Sequence, residues 1–130
     1  MGLVLRRGFA VAMLAGIFLL SHQPSLDILP PLFPMQDKVF HIVEYFLLGI
    51  SLLLNRDLCP GGRGVLFAIA AGALWGALDE IHQSFIPGRD CSLADFCADI
   101  IGLALAMTSS RTLLRLRAGY SRGALDNEGE

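Results

Sequence analysis

The sequence predicts an all-α, polytopic membrane protein: one bundle of four transmembrane helices with both termini cytoplasmic. Three observations predict it: an apolar composition, four long stretches poor in charge, and a one-sided distribution of Lys and Arg. Over 130 residues, 54% are hydrophobic and 17% charged, with a mean hydropathy of +0.58. An average soluble domain holds roughly 45–50% apolar and about 25% charged residues. The length suits a single domain. A net charge of −2, with no basic stripe interleaved with aromatics, excludes a nucleic-acid partner.

The first stretch, residues 8–20, is thirteen residues without a polar side chain, preceded by Arg6 and Arg7. It predicts a span over about 4–21. A cleaved signal peptide is the alternative reading, against which the exit LLSHQPS offers no A-x-A-like cleavage site. The connector over 22–38 holds Pro24, Pro30, Pro31 and Pro34, which predicts a stiff, extended segment.

The second span, 39–54, is interrupted by His41, Glu44 and Tyr45, and the inner loop NRDLCPGGR reads as a turn. The third, 64–85, opens with GVLFAIAAGALWGAL, which carries no charge, and ends in the polar run DEIHQ. The fourth, 93–109, begins after Ser92-Leu93-Ala94-Asp95, the S-x-x-D pattern that caps a helix start. Residues 1–110 therefore form the transmembrane domain. The polar tail 111–130 is expected to lack regular structure.

A soluble bundle needs a polar face on each helix, and residues 8–20 and 64–78 have none. If all four stretches span, one side receives Arg6, Arg7, Arg56, Arg63, Arg111, Arg115, Arg117 and Arg122. The other side receives only Lys38 and Arg89. That bias places both termini inside.

Small residues recur every fourth position: Gly8, Ala12 and Gly16; then Gly64, Ala68, Gly72 and Gly76; then Ala94, Ala98, Gly102 and Ala106. Close backbone approach across such stripes is a main source of helix association in lipid. Cys59, Cys91 and Cys97 are odd in number and form no C-x-x-C pair. They are expected to be small buried hydrophobes rather than a disulfide framework.

At ~1.5 Å of rise per residue, Glu44, Asp79 and Asp99 fall at a common depth of ~7–10 Å beneath the outer surface. His41, Glu80, His82, Asp95 and Arg89 lie at or above that level, so the spans should enclose a polar chamber open to the outer face. Asp37, His41 and Tyr45 share a helix face, as do Asp79, His82 and Gln83, and Asp95 and Asp99. Trp75, deeper in the third span, reads as packing. Ionisable groups within a membrane are functional candidates because each is costly to insert without a partner or water.

Acid–base chemistry needs a His with an orienting acid, which Asp79/His82 and Glu44/His41 both offer. Asp79, Glu80, His82 and His41 are thus the candidate catalytic set. Asp37, Lys38, Glu44, Tyr45, Gln83, Arg89, Asp95 and Asp99 are the candidate binding set. Arg89, after Pro87-Gly88, suits a phosphate or carboxylate, or a headgroup anchor. The His and Cys spacing does not match a zinc site, and no metal is expected.

QDKVFHIVEYFLLG (36–49) and ALDEIHQSFIPGRDCSLADFCADIIGLALA (77–106) together resemble the VanZ-like family of bacterial membrane proteins. The matching positions are Asp37-Lys38, His41, Tyr45, Asp79-Glu80, His82-Gln83, Pro87, Arg89, Asp95 and Gly102, over residues 36–106. Asp99 departs from the family pattern, where many members carry Asn. The resemblance implies a small multi-pass protein of the bacterial cytoplasmic membrane, linked in some members to teicoplanin resistance, without an agreed biochemical activity. Three readings follow. The chamber binds an envelope lipid, a cell-wall precursor or a glycopeptide-like amphiphile; or it is the site of a membrane-embedded enzyme; or its polar groups only join helices.

Overall fold

The computed structural model describes residues 2–24, 33–58 and 63–127, with side chains described as far as residue 110. Among these residues four α-helices follow one another: α1 (Leu3–Ser21), α2 (Gln36–Leu54), α3 (Gly64–Gln83) and α4 (Leu93–Asn127), with a 3-10 turn, Arg56–Leu58, after α2. No strand occurs among the described residues. The connector prolines Pro30 and Pro31, and Cys59, lie outside them.

Each helix begins and ends for a local reason. α2 starts three residues earlier than the predicted span, right after Pro34-Met35, and Asp37 in its first turn complements the helix dipole. α3 stops at Gln83, two residues short of the predicted end. There Phe85 N–H donates to His82 C=O and Ile86 N–H to Gln83 C=O, tight turns that close the helix before Pro87. Pro87-Gly88 then forms a type II turn: Gly88 has φ +82°, and Arg89 N–H donates to Ile86 C=O at 3.1 Å. α4 starts where Ser92 Oγ accepts the Asp95 N–H at 3.2 Å, the predicted cap. Its backbone continues to Asn127, where a tail without regular structure was expected. The segment RTLLRLRAGY is rich in Leu and Arg, which favour helix.

Contacts at the two ends make neighbouring helices in the chain run in opposite directions. At one end, Arg6 Nη1 donates to Leu54 C=O (2.9 Å) and Arg7 Nη1 to Asn55 Oδ1 (2.8 Å). Arg7 also pairs with Asp57 at 2.9 Å. The start of α1 thus meets the end of α2. At the other end, Gln83 Nε2 donates to Ser21 Oγ at 3.3 Å, and Glu80 accepts the Ser92 N–H at 2.7 Å. The end of α1 therefore meets the end of α3, and the end of α3 meets the start of α4.

Between these ends lies a small core of Ile17, Tyr45, Leu48 and Leu103, flanked by Met13, Leu14, Leu52, Ala73 and Trp75. Two of the small-residue stripes lie inside. Gly64, Ala68, Gly72 and Gly76 are buried along α3. On α4, Ala98, Gly102 and Ala106 are buried while Ala94 is exposed. A Cβ on Gly102 would strike the backbone of Ile42 and Phe46, so α2 and α4 touch main chain to main chain there. The third stripe is a correction: Gly8 and Ala12 are exposed, and a Cβ on Gly8 or Gly16 would meet nothing within 4 Å. α1 docks instead through Met13, Leu14, Ile17 and Ser21. Cys91 and Cys97 are a second correction, both free and exposed rather than buried.

Among the described residues, three helices are long and apolar enough to cross a membrane: Leu3–Ser21, Gly64–Gln83 and the Leu93–Ser110 part of α4. α2 has 19 residues but carries Asp37, Lys38 and Glu44. Large apolar side chains cover the outside of all four helices, among them Val4 (84% exposed), Val11, Leu47, Leu66, Leu74 and Ile101.

Candidate functional site

At the end of the bundle away from Arg6 and Arg7, buried polar side chains from every helix come together. Ser21, His41, Asp79, Glu80, Gln83, Asp95 and Asp99 are all buried there, and Asp99 is fully so. Desolvating this many polar groups is tolerated only where partners satisfy them.

The innermost pair is His41 and Asp99. His41 Nδ1 lies 2.8 Å from Asp99 Oδ1. His41 thus takes its acid from α4 rather than from Glu44, which stands a helical turn away on α2. Asp99 approaches α3 closely at Gly76, where a Cβ would lie 2.9 Å from Asp99 Oδ2 and 3.2 Å from Tyr45 Cε1. Glycine is needed there for lack of room. Tyr45 is wholly buried, and its hydroxyl and Asp99 Oδ2 have no hydrogen-bond partner.

Above this pair, Lys38 bridges Asp95 (2.5 Å) and Asp37 (2.6 Å). Asp37 precedes the predicted span and is exposed, and the hydrogen-bonded Lys38 ammonium holds its carboxyl below the usual carboxylate range. The S-x-x-D pattern suggested that Asp95 would serve the helix start. The cap is split differently: Ser92 Oγ takes the Asp95 N–H, Glu80 Oε2 takes the Ser92 N–H, and the Asp95 carboxylate goes to Lys38. Glu80 Oε1 is left buried and, among the described residues, without a partner.

The end of α3 is wrapped on two sides, as the roughly 100° between Asp79 and Glu80 requires. Glu80 faces the start of α4. Asp79 Oδ2 accepts from Gln83 Nε2 at 3.0 Å, and the same amide reaches Ser21. Among the described residues no hydrogen bond joins Asp79 to His82, so that predicted acid–base pair does not form. His82 turns toward α1, with Nε2 3.3 Å from His22 Nδ1 and its ring 4.8 Å from that of Phe18. His22 and Ser21 were not singled out from sequence. The only signal for them was their place at the polar exit of an apolar helix.

A crevice lined by Leu20, Ser21, Phe40, His41, Glu44, Gln83 and Arg89 leads in from the surface. The Pro87-Gly88 turn brings Arg89 back to this wall, and its Nη1 is buried without a hydrogen-bond partner among the described residues. His41, Glu80 and Asp95, from three helices, offer ligand atoms that all lie within 4.8 Å of one another. Of the twelve predicted site residues, His41, Glu80, Asp95, Asp99 and Lys38 form one continuous cluster. Asp79 and Gln83 adjoin it, Glu44 and Arg89 line its entrance, Tyr45 lies beneath, Asp37 stands at the rim, and His82 points elsewhere.

No protein-family model matches the chain, and no solved structure matches it. An uncharacterized protein of the fission yeast Schizosaccharomyces pombe is 31% identical over 88 residues, covering 68% of this chain and 51% of the relative. The chain thus spans about half the length of the curated relative it matches.

Proposed function

We propose that this is a VanZ-like, four-span protein of the bacterial cytoplasmic membrane, with both termini inside, whose outer-facing polar chamber binds the anionic headgroup of an envelope amphiphile. The observation that carries the reading is Arg89: a guanidinium whose buried Nη1 has no hydrogen-bond partner among the described residues, beside a crevice that also exposes Phe40 and Leu20. Guanidinium forks suit phosphate and carboxylate, while an apolar rim suits an acyl or prenyl chain. The basic end with Arg6, Arg7, Arg56 and Arg63 supports the inward orientation of that end. A lipid-linked cell-wall precursor or a lipid phosphate fits this chemistry, and sequestration of such a ligand accords with the teicoplanin link of the VanZ-like resemblance.

The test is binding by the full chain in nanodiscs. Anionic lipid should bind at least tenfold tighter than zwitterionic lipid, and Arg89→Gln should remove the preference. Equal binding of both lipid classes would sink the reading.

A second reading is favoured by the His41–Asp99 pair. A buried carboxylate on Nδ1 orients the imidazole and leaves Nε2 as a base. In that reading His41 performs proton transfer on the same ligand, with Asp99 as its positioning partner and Asp79 and Glu80 lending charge. Envelope lipid extracts from cells with wild-type protein and with His41→Gln distinguish the two: a chemical change that requires His41 makes the protein an enzyme.

A further inference from the structure

We propose that His41, Glu80 and Asp95 form a binding site for one divalent first-row transition cation of the Zn2+ or Mn2+ type. The three residues come from α2, α3 and α4 and are buried, with overall exposures of 6% for His41, 3% for Glu80 and 8% for Asp95. Their ligand atoms lie within 4.8 Å of one another. Tetrahedral bonds of about 2.0–2.2 Å separate neighbouring ligand atoms by about 3.4 Å, so rotamer adjustments of about an ångström close the set.

Two observations outside the triad's composition point to a ligand. Glu80 Oε1 is buried with no partner among the described residues, on a carboxylate whose other oxygen is already fixed by the Ser92 N–H. Leaving such an oxygen bare is costly, and a cation satisfies it directly. His41 is also arranged as metal-bound histidines are: Nδ1 is taken by a buried carboxylate, Asp99, which leaves Nε2 as the ligand nitrogen.

Charge supports the same conclusion. Among the described residues, Glu44, Asp79, Glu80, Asp95 and Asp99 face Lys38, Arg89 and an imidazole from the helices packed around them. Lys38 currently occupies Asp95, and it keeps a second carboxylate, Asp37, on which to remain when a dication takes Asp95. One imidazole nitrogen with two carboxylates suits zinc or manganese better than magnesium, which prefers oxygen alone. Three protein ligands leave a coordination position open. The site does not depend on the headgroup reading, since the metal binds through protein groups alone; it replaces the reading of His41 as a base, because a metal-bound Nε2 has no lone pair to accept a proton.

The experiment titrates chelator-stripped full chain in detergent with Zn2+ alone, and separately with Mn2+ alone, by calorimetry. We expect one saturable site per chain. Glu80→Gln and His41→Ala should each weaken it at least a hundredfold, and Asp99→Ala ten- to a hundredfold by releasing the imidazole. Lys38→Met should tighten it, because the competing ammonium is gone; this gain cannot arise from a misfolded variant. The His22→Ala/His82→Ala double variant should retain the site. Absence of saturable binding to either metal, loss of binding only in the His22/His82 variant, or unchanged affinity in Glu80→Gln would each overturn the proposal.

Discussion

His41 Nδ1 stands 2.8 Å from Asp99 Oδ1, a buried imidazole on α2 against a fully buried carboxylate on α4, 58 residues apart in the chain. Both groups are buried, so the two should be energetically coupled. His41→Ala and Asp99→Ala should each cost about 1–3 kcal/mol of stability. The double variant should cost less than the sum by more than about 0.5 kcal/mol. Thermal unfolding in detergent measures all three, and strict additivity would remove the coupling.

Gly102 lies where α4 meets the backbone of α2, with no flexible side chain available to yield. Gly102→Ala should therefore destabilise the bundle by about 1–3 kcal/mol through overpacking. Gly72→Ala meets only the movable tip of Leu103 and should cost less. Gly16→Ala, on the open face of α1, should be neutral within about 0.5 kcal/mol. The same unfolding assay ranks the three, and a costly Gly16→Ala would mean that α1 has a partner on that face.

Asn55 is 3% exposed and donates from Nδ2 to both Arg6 C=O (3.0 Å) and Ser51 C=O (2.9 Å) while accepting from Arg7. Its replacement by Ala should detach the start of α1 and cost about 1–3 kcal/mol. Asp57 pairs with the same arginines in a half-open setting, where ion pairs contribute only about 0–1 kcal/mol. Asp57→Asn should accordingly be mild. Protease sensitivity of the α1 segment reads the difference.

Gly88 holds the left-handed conformation that turns Arg89 back to the crevice. Gly88→Ala should strain that turn by about 1–2 kcal/mol and weaken anionic-lipid preference as Arg89→Gln does, while helicity by circular dichroism stays unchanged. Retained preference would show that Arg89 is positioned by something other than the turn.

Cys91 is exposed in the segment between α3 and α4. In a Cys59→Ser/Cys97→Ser background, a membrane-impermeant maleimide added to intact cells should label it. Labelling only after the membrane is opened would invert the proposed orientation and put the chamber inside.

Much of the architecture could be read in the sequence by itself. An apolar run of 13 residues and an uncharged run of 15, the S-x-x-D cap and the buried small residues of α3 and α4 all express local periodicity or backbone preference. So does the gathering of polar residues at one end, since depth along a helix is a matter of counting. What only the tertiary structure decided is which polar group meets which. Glu44 is one turn from His41 along α2, yet Asp99 became its partner; Asp79 is within reach of His82 on α3, yet His82 turned to His22. Rotation of a helix about its axis and the choice of facing helix depend on packing across the bundle, and no single helix's period encodes them. The exposed Gly8 and Ala12 make the same point: a stripe states that a face can be approached closely, while the arrangement of the other three helices determines whether anything approaches it.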